Sequence, residues 1–178
     1  MRLVSIAGGG NLGIEINLHT LSQDIEAPVK EYEPETYPAL YLRFKENGAT
    51  IMAFRSGKFN IAGAKSAEEL RETGKQFIST IEEKMEVDLS DATETLEIRN
   101  MVYVDELDEV VDLGSLVSVL GPEHVEYELE QFPSLEYRPP DEEGLFKIFS
   151  TGKVTLTGTT NPDSVDGMFK RLREQVKG

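Results

Sequence analysis

The chain has 178 residues and a formal net charge of −15, from 33 Asp+Glu against 18 Lys+Arg, and it contains no Cys. The missing Cys excludes disulfides, thiolate zinc sites, iron–sulfur ligation and a Cys nucleophile; the 39% of apolar residues suffices for a buried core, and no apolar run approaches the ~18 residues that span a bilayer. So negative a chain has no broad, nonspecific attraction for nucleic acid or anionic membrane, which leaves a localised binding face as the route to either.

In chain order, a first strand is expected over Leu3–Ala7. It begins too close to Met1 to leave room for a signal peptide, so the cytoplasm is the expected compartment. Gly8-Gly9-Gly10-Asn11-Leu12-Gly13 follows and fits G-x-G-x-x-G, the pattern of dinucleotide-binding turns. Such a fold continues in alternating βα units, and this chain does not, so the glycines are read as a strand-to-helix connection. Leu18, Leu21 and Ile25 then recur at helical spacing. Three alternating strands are expected at Tyr37–Phe44, Thr50–Phe54 and Phe59–Ala62, with turns at Asn47-Gly48 and Ser56-Gly57. A longer helix carries Leu70, Phe77 and Ile81 on one stripe. Ser66 is its N-cap, and Glu69 completes a capping box.

An acidic stretch around Glu86–Glu94 comes next, and the pattern then starts again. A strand is expected over Ile98–Val104 and a helical stripe at Leu113, Leu116 and Leu120. Strands follow at Phe132–Arg138, Leu145–Phe149 and Val154–Thr157. The last helix has Asn161 as its N-cap, Pro162 at the first helical position, and Val165, Leu172 and Val176 on one side. The recurrence is a gapless repeat at an offset of 95: between residues 31–63 and 126–158 there are eleven identities in 33 positions, where ordinary residue frequencies give roughly two. The expected organisation is one repeat over 1–84, an acidic connector over 85–97 and a second repeat over 98–178. Each repeat is a β-α-β-β-β-α unit, a helix-backed antiparallel sheet.

Side chains alternate across a strand. In the first repeat Leu40, Leu42, Ile51 and Ala53 are expected to face the helices, and Tyr37, Ala39, Tyr41, Arg43, Met52 and Phe54 to face away. In the second, Phe146 and Ile148 face inward while Lys147 and Phe149 face out. Helices can cover only one face, so the other presents a large apolar surface, which on a water-soluble chain marks an interaction site.

At these residues the sequence resembles the TATA-box-binding protein family, in the two-repeat form of its archaeal members. The second repeat carries Arg99-Asn100-Met101-Val102, Phe132-Pro133-Ser134-Leu135, Ile148-Phe149-Ser150-Thr151-Gly152-Lys153 and Leu156-Thr157-Gly158. The first carries Tyr37-Pro38-Ala39-Leu40, Phe54-Arg55-Ser56-Gly57-Lys58 and Ala62-Gly63-Ala64-Lys65. The resemblance spans essentially the whole chain. It implies an α+β saddle, a curved ten-stranded antiparallel sheet with helices on the convex face, whose concave face lies in the minor groove of double-stranded DNA. The implied function is that of a general transcription factor that binds and bends promoter DNA and recruits transcription factor B and RNA polymerase. It implies no enzyme activity and no cofactor or metal.

Carried over by position, the resemblance makes Phe132 and Phe149 one pair of wedge residues and Tyr37 and Phe54 the other. Asn100 and Ser5 form the central polar pair, with Val102 and Ala7 beside them. Asn60, Ala62, Thr155 and Thr157 lie on the floor of the DNA-facing surface with Met52 and Lys147, and Arg43, Arg138, Lys58 and Lys153 are phosphate contacts. Glu128, Glu130 and the loop acids Asp141, Glu142 and Glu143 are the side that meets transcription factor B. Nucleoid association in a prokaryotic cytoplasm, and a homodimer through the apolar face when DNA is absent, belong to the same expectation.

Several positions depart from the family pattern. Ser5 stands for Asn, Tyr37 for Phe, Asn60 and Ala62 for Val and Thr, Lys147 for Leu, and Glu136 for an apolar residue. An outward Glu136 would be repelled by the groove unless Lys147 offsets it. These departures frame the alternative, a diverged paralogue that uses the same saddle as a protein-interaction or regulatory module with weak or altered DNA binding. His19 and His124 do not align in the repeat and are read as ordinary surface residues. The acid runs at 105–109 and 141–143 are read as solvated faces.

Overall fold

The computed structural model describes residues 1–128 and 130–177. The chain divides into two compact units, one of Ser5–Arg99 and the other of Met1–Val4 with Asn100–Gly178. Among the described residues, ten strands form antiparallel pairs, five strands to each array. In the first unit the strands are β1 (Arg2–Asn11), β2 (Val29–Tyr32), β3 (Ala39–Arg43), β4 (Thr50–Phe54) and β5 (Lys58–Ala64), in the order β2-β3-β4-β5-β1. In the second they are β6 (Glu97–Glu106), β7 (Val125–Glu126), β8 (Ser134–Tyr137), β9 (Leu145–Phe149) and β10 (Lys153–Thr159), in the order β6-β10-β9-β8-β7. The helices are α1 (Leu18–Asp24), α2 (Ala67–Met85), α3 (Leu113–Leu120) and α4 (Pro162–Lys177). Among the described residues, no helix is long and apolar enough to cross a membrane.

Burial follows the expected alternation. Leu40, Leu42, Ile51, Ala53, Phe59 and Ile61 are wholly buried in the first unit, as are Leu135, Ile148, Val154 and Leu156 in the second. They meet helix stripes that are just as deeply buried: Leu70, Phe77 and Ile81 of α2, and Val165, Phe169 and Leu172 of α4. Aromatic contacts join the layers, with Phe59 against Phe77 at 5.0 Å between ring centroids and Phe146 against Phe169 at 5.3 Å, both edge-to-face. Truncating one such ring costs about 3–5 kcal/mol through lost transfer energy and the cavity left behind.

Local chemistry sets the element ends. The Ser66 hydroxyl accepts from the Glu69 N–H at the start of α2, where Glu68 and Glu69 complement the helix dipole. The capping box closes one residue early: the Glu69 carboxylate accepts from the N–H of Lys65 at 2.7 Å, not from that of Ser66. The 95-residue repeat is equally visible in the backbone hydrogen bonds. Leu12 N–H donates to the Gly57 carbonyl as Leu107 does to Gly152, and Ile16 to Arg55 as Val111 does to Ser150. Gly57 and Gly152, at φ +87° and +88°, occupy the left-handed region that the strand-to-strand turn requires.

Two expectations need correction. Each unit has one more strand than its residue pattern predicts, the edge strands β2 and β7, which make up the ten that the resemblance implies. Val29, Lys30 and Glu31 are exposed and Tyr32 half-buried, so no apolar alternation advertises β2. The glycines at 8–10 are not a connection between strand and helix but lie within β1, and all three are buried. A Cβ on Gly8 would overlap the Glu97 carbonyl oxygen, and one on Gly9 the Phe59 carbonyl oxygen. Their role is close backbone approach.

One polar cluster is half-sheltered in the second unit. The Asp105 carboxylate accepts from the Met1 amino group at 2.8 Å and pairs with Arg173. Desolvation alone would raise the Asp105 carboxyl. The bonds from the Met1 amine and the Glu106 backbone N–H, with the Arg173 charge, outweigh it and hold the group below the usual Asp value. A depressed folded pKa contributes stability above the unfolded pKa of about 3.8 and loses it as pH falls through the folded value. Asp105→Asn is therefore expected to destabilise the chain by about 1–3 kcal/mol at pH 7. The gap to wild type should narrow in urea unfolding once pH falls below the unfolded Asp value and close below the depressed folded one.

Candidate nucleic-acid interface

The uncovered face of each unit is built by the residues that alternate with the core. In the first unit a row runs across the ladder from Gly9 through Asn60, Met52 and Tyr41 to Glu31. The corresponding row of the second unit is Val104, Thr155, Lys147, Glu136 and Glu126, each 95 residues on. Asn60, Met52 and Tyr41, like Thr155, Lys147 and Glu136, are half-buried. Desolvation, and then the neighbouring Tyr37, push the Tyr41 phenol above its ordinary pKa.

The four wedge positions all lie outside the helical layer. Tyr37 and Phe132 are 43% and 54% exposed, while Phe54 and Phe149 are half-buried. The exposed member of each pair sits on a tight turn: Tyr37 N–H donates to the Glu33 carbonyl and Phe132 N–H to that of Glu128, each at 2.9 Å. The other member ends a strand, opposite a small residue, with Phe54 across from Ala39 and Phe149 across from Ser134. Ala39, expected to be outside, shares this face and is nevertheless buried. Tyr37 packs edge-on to Phe54 at 6.4 Å and against Tyr41 at 5.5 Å. Tyr37 and Phe54 thus form an aromatic ridge, and Phe132 and Phe149 hold the matching positions in the second unit.

The polar positions are ordered by hydrogen bonds. Asn100 Oδ1 accepts from the Gly158 N–H at 2.7 Å and from the Thr157 hydroxyl at 3.2 Å. Val102 beside it is half-buried, as are Ser5, Ala7, Ala62 and Thr157. Asn60 Oδ1 accepts from Arg99 Nη1 at 2.9 Å, and Arg99 Nε donates to Glu97 Oε1 at 2.9 Å. Arg99 is absent from the expected site residues, because 39 positions of sequence separate it from Asn60. Glu136 and Lys147 form a 2.8 Å ion pair across β8 and β9. The departure that should repel DNA is therefore neutralised by the one beside it.

Among the rim cations, Lys58, Lys153 and Arg138 are exposed. Arg43 is engaged within its own hairpin, donating to Thr50 Oγ1 at 2.8 Å and to the Glu46 carbonyl at 3.3 Å. Glu128 and Glu130 flank the Phe132 turn and are exposed, like Asp141 and Glu143. Glu142 instead turns back to pair with Arg171 of α4 at 2.6 Å, and that bond raises the guanidinium pKa further. His19 lies beside Gln23 and His124 beside Glu123, and among the described residues they share no partner.

A duplicated chain, with a helix-backed antiparallel sheet in each unit and matched aromatic positions on the open side, defines a two-repeat α+β protein. The particular family follows from comparison. The model for Transcription factor TFIID (or TATA-binding protein, TBP) matches residues 1–84 and again 95–178. TATA-box-binding protein C of Halobacterium salinarum is 35% identical over 177 residues, covering 99% of this chain and 97% of that protein. The TATA-box-binding protein of Archaeoglobus fulgidus is 32% identical, over 99% and 94%. The solved Methanococcus jannaschii TBP superposes with a TM-score of 0.79 at 32% identity, covering 99% of this chain and 97% of that one. The chain belongs to the TATA-binding protein family, and the α+β fold expected from its sequence is the one observed.

Exposure makes the ridge separable from the core. Phe132→Ala is expected to change unfolding stability by less than about 1 kcal/mol, whereas Phe146→Ala should cost about 3–5 kcal/mol. Chemical denaturation of the two variants beside wild type measures the contrast.

Proposed function

We propose that this chain is a TATA-box-binding general transcription factor that binds promoter DNA through the minor groove and bends it. The observation that carries this reading is the matched aromatic positions, two per unit, on faces that no helix covers. Names of relatives with near-complete mutual coverage support it. Apolar wedges that unstack a base step pay a few kcal/mol per step and gain a bent duplex that touches more protein, a mode of minor-groove binding of which this family is itself a standard instance. Phe132 with Phe149 and Tyr37 with Phe54 are the wedges. Flexible TA steps lower the deformation cost.

The remaining site residues have distinct tasks in this reading. Asn100 and Ser5 meet base edges, with Val102, Ala7, Ala62, Thr155 and Thr157 packing alongside. Lys58, Lys153 and Arg138 contact phosphates, which fixes register without reading sequence. Arg43, held by its hairpin, adds positive charge at the rim. Lys147 is committed to Glu136 and cancels its charge rather than reaching the backbone. The exposed acids Glu128, Glu130, Asp141 and Glu143 form a surface suited to a basic partner, the transcription factor B-like protein through which polymerase is recruited. Glu142 is excluded from that surface by its bond to Arg171. The chain then acts on nucleoid DNA in the cytoplasm.

The test is titration of a TATA-containing duplex over a range of salt, with a FRET pair reporting the bend. Affinity should fall as salt rises, with a log–log slope of about −0.9 for each phosphate neutralised. Phe149→Ala should abolish most bending, and Phe132→Ala should reduce it more than Tyr37→Ala, whose phenol is the poorer wedge. A wild-type chain with no A·T preference at any salt would refute the reading and favour the protein-interaction alternative.

A further inference from the structure

Within the repeat, Ser5 occupies the place of Asn100, and the two side chains differ in what they can offer a base edge. Asn100 Oδ1 accepts from the Gly158 N–H at 2.7 Å and the Thr157 hydroxyl at 3.2 Å. A backbone N–H only donates, so the atom facing it is the amide oxygen, and the NH2 group is left for an outside acceptor. Ser5 carries a shorter side chain with a single hydroxyl and provides no such reach.

Asn60 is in the same electronic situation as Asn100. Its Oδ1 accepts from Arg99 Nη1 at 2.9 Å. A guanidinium has no acceptor, so here too the facing atom is oxygen and the NH2 is left over. Among the described residues, neither amide NH2 donates to a protein acceptor. Asn60 is half-buried on the uncovered face, across the ladder from Gly9 and Met52. Gly9 leaves room for the guanidinium over β1: a Cβ there would stand 3.0 Å from Arg99 Nη1. Glu97 holds the guanidinium from its other edge at 2.9 Å. The repeat has nothing comparable in the second unit, where Val4, Val104 and Thr155 take the places of Arg99, Gly9 and Asn60.

We infer that Asn60 reads the minor-groove edge of A·T pairs for the first unit, supplying the amide reach that Ser5 lacks, with Arg99 as its positioning residue. The inference rests on the minor-groove reading above. A·T and T·A pairs both display only acceptors in that groove, adenine N3 and thymine O2, whereas guanine adds an amino donor. An oriented NH2 is complementary to the first and opposed to the second. Arg99 determines the orientation, because it can pair only with the amide oxygen.

Fluorescence anisotropy with an A/T-rich promoter duplex, and with duplexes carrying 3-deazaadenine or 2-thiothymine at one position at a time, tests this directly. Asn60→Ala is expected to weaken binding about threefold to tenfold and to erase the wild-type sensitivity to acceptor removal at one position while preserving it at the others. Asn60→Asp, which presents an acceptor to an acceptor, should weaken binding more. Arg99→Leu should lose the same position-specific sensitivity with an unchanged melting temperature, and Arg99→Lys, which still donates to Asn60, should restore it. Asn60→Ala that binds like wild type, or keeps wild-type sensitivity at every position, overturns the inference. Wild type that binds and bends DNA alongside such an Asn60 variant overturns this inference alone. Wild type that binds no duplex overturns the minor-groove reading with it.

Discussion

Helices cover one side of each five-strand array, and the alternation of side chains along a strand converts that single fact into a binding surface. In β3, β4 and β5 the inward residues Leu40, Leu42, Ile51, Ala53, Phe59 and Ile61 lose all solvent contact. At about 25 cal/mol per Å² of apolar area removed from water, such positions dominate the stability of the unit. Register cannot slip by one residue without turning that set outward and the polar set inward. The outward residues are therefore held in place by energy spent on the other face. Asn60, Met52 and Tyr41 form a fixed row for that reason, as do Thr155, Lys147 and Glu136.

Charge on this surface is managed locally. A chain of net charge −15 is repelled overall by a polyanion, so a DNA-facing surface needs its own balance. Glu136 pairs with Lys147 and Glu97 with Arg99. Exposed ion pairs of this kind add little stability, typically under about 1 kcal/mol. Their consequence lies in the field: two carboxylates on the outward strands are cancelled where they stand. Among the described residues, Glu128, Glu130, Asp141 and Glu143 form no ion pair and lie instead at a turn and a loop, exposed to solvent.

Much of the fold was legible because it obeys rules of period and repetition. The offset of 95 identified two copies, and the aligned Phe-x-x-Gly-Lys and Pro-x-Leu segments located the same strands in each. The edge strands were not legible. Val29-Lys30-Glu31-Tyr32 and Val125-Glu126 bury too little to carry an apolar alternation, and their pairing comes from the neighbouring strand's free backbone groups. The triple glycine was misread for a related reason. Glycine marks both turns and tight strand contacts, and only the packed neighbours, the carbonyls of Glu97 and Phe59, tell the two apart.

The order of residues alone determined the duplication, the inward and outward sets, and the four aromatic positions, since each depends on spacing within one strand or on self-similarity. It also displayed every departure from the family pattern. It also named Lys147 as the charge that could offset Glu136, which the 2.8 Å pair bears out. It did not reveal that Asn60 meets Arg99 or that Glu142 meets Arg171, across 39 and 29 positions. Side chains so far apart along the chain have no fixed distance until strand register and helix packing bring their backbones together, and that is a property of the assembled sheet.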